Sequence, residues 1–343
     1  MTVSSPRRVL LVSVPRSASL LLVKILNVHN QPHVLTNPGA GYFFFQAFMP
    51  AIRGGYMEIP LDQWTEAQKQ EIKTSFEGCV ENLEEFSEKA KNENKIMFAK
   101  EHAYWLVNPA VFQAMMSGTE NEELFNTFRV RLSDAYGSPQ TFSPSNKTVL
   151  PDEYLRSWQL TFIIRHPALA WPSMYRALVK IKEIGGLSER ESNGFWKTNM
   201  TLRWTRLLYD WCLEQGDTPL LLDAEDVIHH PQVVTRFCEQ TGMDKETLKF
   251  DWDGEPEEGN GPRMSKGNTE QQDMQLKINS IMVSSLASSS GIMKDKAPLT
   301  IDIAGEMAKW KAEFGEEAAT RMEEAVLESM PDYEYLKARR LTV

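Results

Sequence analysis

The chain has 343 residues, of which 42% are hydrophobic and 24% are charged. This length and composition provide for a substantial hydrophobic core and exclude global disorder, so we expect one large domain over residues 1–343 rather than two average ones. The formal net charge of -10 at pH 7 disfavours broad electrostatic attraction to nucleic acid or to an anionic membrane, so an anionic ligand must be held by a local basic pocket.

Cysteine usage and the N-terminal sequence indicate the compartment. The three cysteines lie far apart and form neither a CxxC pair nor a metal-binding cluster with the six histidines. Pro15 and Arg16 interrupt the N-terminal apolar run, which argues against a secretory signal, and no segment reaches the ~18 to 20 apolar residues of a membrane span. These features predict a soluble cytoplasmic protein without a bound metal ion.

The first predicted element is a buried strand that leads into a turn and a helix. Residues 8–26, RVLLVSVPRSASLLLVKIL, form an apolar run that is broken by Pro-Arg-Ser-Ala-Ser and resumed at helical spacing. Backbone N–H groups at a helix N-terminus lack partners and carry a partial positive charge. Together with Arg16 they predict a site for a phosphate or sulfonate. A strand and a helix joined by an ordinary polar turn is the alternative.

An aromatic loop and a long helix follow. Residues 38–50, PGAGYFFFQAFMP, read as a loop whose aromatic side chains need core packing or a ligand to cover them, and core packing is the favoured interpretation. Residues 61–92 predict a long helix that starts around Asp62. Residues 95–99, KIMFA, predict a strand that is followed at once by Lys100-Glu101-His102.

Two further strands are predicted at residues 160–165, LTFIIR, and 219–222, PLLL. The alternation of strands with helices predicts an α/β fold with a central parallel sheet flanked by helices on both faces. Ligands of such sheets bind beyond the carboxyl ends of the strands, and Arg16, His102 and Arg165 all fall there. The sequence therefore predicts one site at this edge of the sheet.

Two long segments carry no predicted element. Residues 133–152 are rich in proline, and residues 253–272 begin acidic and then turn basic. Loops of this length are uncommon unless they are functional or disordered, so both are candidate lids. From residue 301 onwards the chain is predicted to be mostly helical, with Trp310 and Phe314 on one apolar ridge.

Several segments, in this order, resemble the sulfotransferases that use 3'-phosphoadenosine 5'-phosphosulfate (PAPS). Pro15-Arg16-Ser17-Ala18-Ser19 resembles the family's loop for the 5'-phosphosulfate, and Lys100-Glu101-His102 resembles its Lys-x-His segment at a strand end. Arg165 and Ser173 resemble the arginine and serine, eight residues apart, that hold the 3'-phosphate. LLLDAEDVIHHPQVVTRFCEQTG and KWKAEFGEEA resemble two further family segments. Each motif alone is weak, and the ordered set is specific.

The resemblance implies a P-loop NTPase-like sulfotransferase architecture and PAPS as the sulfuryl donor. The residues that it implies for donor binding are Pro15, Arg16, Ser17, Ala18, Ser19, Leu20, Arg165, Ser173, Lys294 and Lys296. It also implies His102 as the general base, with Lys100 and Arg16 stabilising charge on the transferring group and on the leaving phosphate. These residue types suit the chemistry, because sulfuryl transfer chiefly requires alignment and charge neutralisation, a near-neutral base and a bidentate grip on phosphate.

The sequence departs from the family pattern in the loop and beyond it. Ala18 and Leu20 replace the family's usual glycine and a hydroxyl residue, and alanine takes a positive φ only at a cost. Ala224 replaces the aromatic residue that often contacts adenine. The candidates for holding the base are then Trp171, Phe195 and Trp196. For the family's C-terminal basic segment, Lys294 and Lys296 are favoured over Arg263 and Lys266.

Other interpretations stay open. Taken alone, His102 reads as a structural histidine, Arg165 as the partner of a carboxylate such as Asp226, and Lys100 as a solvated strand end. The chain could also be a binding pseudoenzyme, or could couple sulfation to elimination or cyclisation of its product. A P-loop kinase is less favoured, because residues 13–20 lack both glycines and the lysine of GxxxxGK[ST].

The expected partner is a small-molecule acceptor that carries a hydroxyl group. The aromatic segments around residues 42–48 and 104–105 suggest a partly apolar or cationic pocket. Choline-like, phenolic and secondary-metabolite alcohols all stay open, and the sequence predicts no oligomeric state.

Overall fold

A computed structural model of the chain describes residues 7–39, 41–56, 59–252 and 269–343. Its centre is a five-stranded sheet in which every strand pair is parallel and the order is β2-β3-β1-β4-β5. The strands are β1 (Arg8–Ser13), β2 (Val34–Leu35), β3 (Ile96–His102), β4 (Gln159–Ile164) and β5 (Leu220–Asp223). From β1 the chain forms β2 and β3 on one side of that strand and then crosses over to form β4 and β5 on the other side. This reversal of direction opens a crevice at the carboxyl end of β1.

Helices connect and cover these strands. The α-helices are α1 (Ser19–Ile25), α2 (Met49–Gly54), α3 (Glu66–Asn92), α4 (Ala103–Leu106), α5 (Pro109–Ser117), α6 (Glu122–Thr127), α7 (Asp152–Arg156), α8 (Pro167–Glu183), α9 (Glu189–Asn199), α10 (Arg203–Glu214), α11 (Ala224–His229), α12 (Gln232–Thr241), α13 (Thr269–Ala287), α14 (Ile303–Phe314) and α15 (Glu316–Lys337). Short 3-10 helices span Val28–Asn30, Phe44–Phe48, Leu61–Gln63, Asp134–Tyr136, Lys245–Thr247 and Lys294–Lys296.

Alternate strand residues point into two separate cores. Leu10 and Val12 pack on the face covered by α3, α8, α10 and α15, whereas Val9 and Leu11 pack on the face covered by α1 and α12. This period of two is the expected consequence of the pleat, and both faces are apolar because helices cover both. The predicted α/β class with a helix-flanked parallel sheet is confirmed.

Several predicted boundaries were wrong. Lys100-Glu101-His102 does not follow β3 but forms its last three residues. Helix α3 starts at Glu66 rather than near Asp62, because residues 61–63 form a 3-10 turn and Thr65 caps the helix in a capping box with Gln68. The short strand β2 was not predicted.

Of the two predicted loops, residues 133–152 lie wholly within the described residues. They are irregular, as predicted, apart from one 3-10 turn, an isolated β-bridge from Thr148 to Val107 and the first residue of α7. Most of the second loop, residues 253–268 with Arg263 and Lys266, lies outside the described residues. The predicted helical C-terminal region is confirmed, with Trp310 buried in the core.

Candidate active site

The carboxyl ends of β1, β3 and β4 meet at a cavity of ≈ 980 Å³. Its wall contains residues from the segment after β1, the end of β3, the segment after β4, and helices α8 and α13. A volume of this size lies at the upper end of the range for ligand pockets. The predicted edge of the sheet therefore carries a large cavity.

The segment after β1 turns sharply into α1. Arg16 and Ala18 both adopt left-handed backbone conformations, with φ of 67° and 65°. Ser17 is fully buried between them, where its hydroxyl donates a hydrogen bond to the Val14 carbonyl at 2.8 Å. The cavity wall includes Pro15, Arg16, Ala18, Ser19 and Leu20 but not Ser17. Ala18 thus accepts the positive φ that glycine would adopt without strain.

Arg16, Ser173 and Arg165 form one hydrogen-bonded cluster on the cavity wall. The Nε of Arg16 donates to the Ser173 Oγ at 2.9 Å, and the Nη1 of Arg165 donates to the Arg16 carbonyl at 3.2 Å. Arg16 also donates to the Met282 carbonyl on α13, and Arg165 donates to the Lys296 carbonyl at 2.6 Å. The resemblance implies that Arg16 stabilises charge on the transferring group and on the leaving phosphate, and its guanidinium contacts Ser173, which the resemblance implies for the 3'-phosphate.

Neither guanidinium of this cluster pairs with a carboxylate in the described part of the chain. Asp226, the partner considered for Arg165, instead accepts a hydrogen bond from Arg340 at 2.6 Å. Burial, and then the charge of Arg16, lowers the pKa of Arg165 to about 10, and the charge of Asp223 opposes this shift. Burial also lowers the pKa of Arg16. The buried Nε of Arg165 has no hydrogen-bond partner among the described residues, so the cluster has unused capacity for an anion.

Lys100 is fully buried rather than solvated at a strand end. Its Nζ lies 3.6 Å from the centre of the Tyr42 ring and has no hydrogen-bond partner in the described residues. Burial lowers the pKa of Lys100 well below its ordinary value, and the neighbouring Glu101 opposes this shift. The lysine lies behind Tyr42 and is not part of the cavity wall itself. A cation so poorly solvated gains from any anion that approaches it.

Glu101 points to the opposite face of β3 and holds the aromatic loop. Its Oε1 accepts hydrogen bonds from the backbone N–H groups of Phe43 at 2.5 Å and Phe44 at 3.0 Å. Burial raises the pKa of Glu101 to about 8, and these two hydrogen bonds oppose the shift. Glu101 therefore fixes the path of the loop that carries Tyr42.

His102 reaches the cavity wall, and both of its ring nitrogens are hydrogen bonded. Nδ1 lies 3.0 Å from the Ser13 Oγ, and Nε2 lies 3.1 Å from the Tyr42 hydroxyl. Ser13 is the register partner of His102 across the β1–β3 pair. Burial, and then the charge of Lys100, lowers the pKa of His102 well below its ordinary value. The imidazole is therefore neutral near pH 7, which is the form that can accept a proton.

The remaining predicted residues are distributed between the cavity and the core. Lys296 lies on the cavity wall, whereas Lys294, in the same 3-10 turn, does not. Of the candidates for adenine, Phe195 is on the wall, but Trp171 is fully buried in the core and Trp196 packs edge-on against Tyr175.

The aromatic loop is divided between packing and cavity. Phe43, Phe44, Phe48 and Tyr104 pack into the core, as the favoured interpretation predicted. Tyr42, Phe45 and Trp105 instead line the cavity, with ring centres of Tyr42 and Phe45 at 5.1 and 5.3 Å from Trp105. Sequence reasoning missed Ser13, and it did not single out Tyr42. Their roles depend on strand register and on the path of the loop.

The described residues contain neither a helix suited to span a membrane nor a group of side chains suited to bind a metal ion. No helix within them combines the length and hydropathy that crossing a membrane requires. No group of three or more His, Cys, Asp or Glu side chains in the same residues is arranged to hold a metal ion.

Comparison with known proteins adds independent information. No family model matches the chain. A protein named sulfotransferase ppzF from Metarhizium majus is 35% identical over 352 residues, covering 98% of this chain and 97% of that protein. Its namesake from Metarhizium rileyi is 33% identical over 348 residues, covering 98% and 96%. The solved sulfotransferase domain of the Synechococcus PCC 7002 olefin synthase aligns with a TM-score of 0.35 and 11% identity, covering 92% of this chain and 97% of that domain.

Proposed function

The chain belongs to the sulfotransferase family, and from that premise we propose that it transfers the sulfuryl group of PAPS to a hydroxyl of a small acceptor. The donor supplies an activated sulfuryl group and leaves as 3'-phosphoadenosine 5'-phosphate (PAP). The cavity volume of ≈ 980 Å³ supports the joint binding of a nucleotide and a small acceptor.

The observation that carries this proposal is a cluster of two arginines that form no ion pair with a carboxylate in the described residues. Arg16 and Arg165 lie within one hydrogen-bond network with Ser173, and neither forms an ion pair in the described residues. Burial, and then the charge of Arg16, lowers the pKa of Arg165, so an anion bound at this cluster would favour the charged forms of both arginines. A phosphate monoester matches their charge and their fork of N–H donors. We assign the cluster to the 3'-phosphate of the donor.

The other end of the donor is assigned to the backbone of the loop of residues 15–20 and to Lys100, whereas the side chain of Arg16 belongs to the 3'-phosphate site. The first turn of α1 begins in this loop, and Ser19 and Leu20 lie on the cavity wall. Lys100 comes from the adjacent strand and lies behind Tyr42 with an unpartnered ammonium group. Charge that develops on the leaving phosphate during transfer would be stabilised most strongly by such a poorly solvated cation.

His102 is assigned as the base that receives the acceptor proton. Its neutral state follows from the lowered pKa, and the Ser13 contact fixes the orientation of its ring. The replacement of the family's usual glycine by Ala18 does not change the path of the loop, because Ala18 adopts the left-handed conformation that a glycine would take. These features favour active transfer over a binding pseudoenzyme.

The wall near His102 suggests the acceptor class. Tyr42, Phe45 and Trp105 are joined there by Met49 and Ile52. The carboxylates of the described cavity wall, Asp295 and Glu306, lie within ion-pair distance of Lys296 and Lys309 instead. We propose an uncharged and largely apolar alcohol or phenol as the acceptor. The free, buried cysteines Cys79, Cys212 and Cys238 support a reducing, cytoplasmic compartment.

Incubation with PAPS and a panel of phenols and alcohols tests the proposal, with PAP release and sulfated product followed by mass spectrometry. Transfer to a hydroxyl yields both products in equal amounts. Binding of PAPS without formation of PAP or of a sulfated product would favour the pseudoenzyme. Inorganic sulfate together with a dehydrated or cyclised product would favour coupled elimination, and ATP turnover in place of PAPS turnover would contradict the proposal.

A further inference from the structure

Both nitrogens of the proposed base are already engaged within the protein. The Ser13 Oγ lies 3.0 Å from Nδ1 of His102, and the Tyr42 hydroxyl lies 3.1 Å from Nε2. The edge of Trp105 also packs against the imidazole ring, with ring centres 4.6 Å apart. An acceptor hydroxyl could therefore reach Nε2 only by displacing Tyr42.

The hydrogen bonds of Ser13 decide which nitrogen carries the proton. The Ser13 hydroxyl lies 3.1 Å from the Glu101 carbonyl, which can only accept a hydrogen bond. Since Ser13 has a single proton to donate, it must accept at Nδ1, so Nδ1 of His102 carries the hydrogen. In the neutral imidazole, Nε2 is then the unprotonated nitrogen. It accepts the hydrogen bond that the Tyr42 hydroxyl donates.

The backbone around Tyr42 is held in place. The Asn37 carboxamide accepts from the N–H groups of Gly39 and Gly41, each at 3.0 Å, and donates to the Tyr42 carbonyl at 2.5 Å. Gly41 has a φ of +88°, and a Cβ there would lie 3.0 Å from the Lys100 backbone nitrogen. The close approach of this loop to β3 thus requires glycine, and it fixes the phenol beside His102.

The Tyr42 hydroxyl lies between the base and the donor loop. Tyr42 and Ser19 of the loop are both on the cavity wall, and Ser19 is close enough to the phenol to influence its pKa. Burial, and then the charge of Glu101, raises the pKa of Tyr42, so the phenol is protonated at rest. A group in this position can pass a proton on without retaining the charge.

We infer that Tyr42 is the catalytic residue that contacts the acceptor, and that it relays the acceptor proton to His102. The acceptor O–H proton moves to Tyr42 Oη while the Tyr42 proton moves to His102 Nε2. The acceptor oxygen forms its bond to sulfur as the bond from sulfur to the leaving phosphate oxygen breaks. His102 ends as an imidazolium, and Tyr42 ends as a neutral phenol. This inference rests on the proposed function and adds to it a residue and a proton path.

Substitution of Tyr42 by phenylalanine tests the relay, because the ring that packs against Lys100 and Trp105 is kept. Assays at pH 8 would use 2-naphthol, which is protonated, and 4-nitrophenol, which is largely ionised and needs no base. For Tyr42→Phe we expect kcat on 2-naphthol to fall by about 10² to 10⁴. The loss on 4-nitrophenol should be much smaller, and PAP affinity should be unchanged.

Tyr104→Phe is the matched control, since Tyr104 is a buried tyrosine that stacks on Phe48 and is not on the cavity wall. It should leave both rates unchanged. Wild-type rates in mixtures of light and heavy water should follow a quadratic dependence on deuterium fraction, because two protons move. Full activity of Tyr42→Phe on 2-naphthol, an equal loss on both acceptors, or a linear dependence would overturn the relay.

A measurement without an acceptor separates this inference from the proposed function. Nitrogen-15 NMR of His102 in the PAP complex, assigned with His102→Gln, should find Nδ1 protonated and Nε2 unprotonated. A protonated Nε2 would make the histidine the donor to Tyr42 and would overturn the relay. Failure of PAP to bind would instead contradict the proposed function, and transfer by the wild type with unchanged Tyr42→Phe kinetics would contradict the relay alone.

Discussion

The Nε of Arg16 donates a hydrogen bond to the Oγ of Ser173 at 2.9 Å, which joins the loop after β1 to helix α8. The two residues come from segments that the sequence assigned to opposite ends of the donor. Arg165 completes the contact by donating to the Arg16 carbonyl. The loop after β1 and the proposed 3'-phosphate site are therefore joined by direct hydrogen bonds.

This connection predicts that Arg16 and Ser173 contribute jointly to PAP binding. In a double-mutant cycle of Arg16→Ala and Ser173→Ala, we expect a coupling energy within the range of about 0.5 to 3 kcal/mol that is typical of contacting residues. Calorimetric titration with PAP measures it. Pairing Arg16→Ala with Ser75→Ala is the control and should be additive, because the Ser75 hydroxyl donates to the Gln46 carbonyl and Ser75 is not on the cavity wall. Additive losses for Arg16 and Ser173 would contradict the shared site.

Arg165→Lys should weaken PAP binding although the positive charge is kept. A lysine cannot reproduce the fork of donors, and a hydrogen bond to a charged group contributes about 1.5 to 3 kcal/mol, or roughly 10- to 150-fold in affinity. The matched control is Arg206→Lys, because Arg206 pairs with Asp210 and Asp332 and is not on the cavity wall. Equal PAP affinities of the wild type and Arg165→Lys would remove Arg165 from the phosphate site.

Ala18→Gly should not destabilise the protein and should raise its free energy of unfolding by up to about 1.6 kcal/mol. Ala18 has a φ of 65°, which costs an L-residue about 1 to 2 kcal/mol, whereas the added freedom of glycine in the unfolded chain offsets about 0.4 to 1 kcal/mol. Ala325→Gly, inside helix α15, should instead lose about 0.5 to 1 kcal/mol. Urea unfolding compares the two, and a clear loss for Ala18→Gly would contradict the strained loop.

The pH dependence of kcat/KM should reflect the two shifted groups at the end of β3. His102 must be unprotonated, and burial lowers its pKa, so the rate should rise with pH through a value below the ordinary 6.5. Lys100 must be protonated, and burial lowers its pKa, so the rate should fall at a pH below the ordinary 10.5. Lys100→Arg should move that alkaline limb upwards, because a guanidinium stays protonated.

A conservative change elsewhere on the cavity wall provides the control for this profile. Lys309 pairs with Glu306 at 2.6 Å, and Lys309→Arg should leave both limbs in place. An acid limb at or above pH 6.5 would contradict the assignment of the buried His102 as the base.

The main strands were predictable because their apolar runs are compact and bounded by polar residues. Residues 160–165 and 219–222 each differ from β4 and β5 by one position. Strand β2 has only two residues, too few to give a periodic signal. The start of α3 was predicted too early, because the 3-10 turn at residues 61–63 has a composition similar to that of a first helical turn and comes just before the cap, Thr65.

The site was predictable where its residues belong to ordered motifs and not where it depends on long-range pairing. Ser13 is adjacent to His102 only because β1 and β3 pair in one register. Tyr42 reaches His102 because Asn37 and Gly41 fix the path of its loop. The burial of Lys100 was also not readable, since a lysine at a strand end is usually solvated.

Isothermal titration calorimetry with PAP tests the central claim most directly, with adenosine 5'-phosphate and ATP plus Mg²⁺ as comparisons. Adenosine 5'-phosphate lacks only the 3'-phosphate that we assign to Arg16, Arg165 and Ser173. The account predicts that PAP binds at least about tenfold more tightly than either comparison, the difference expected for a single charged hydrogen bond. Tighter binding of ATP with Mg²⁺, equal binding of PAP and adenosine 5'-phosphate, or no binding of PAP would contradict it.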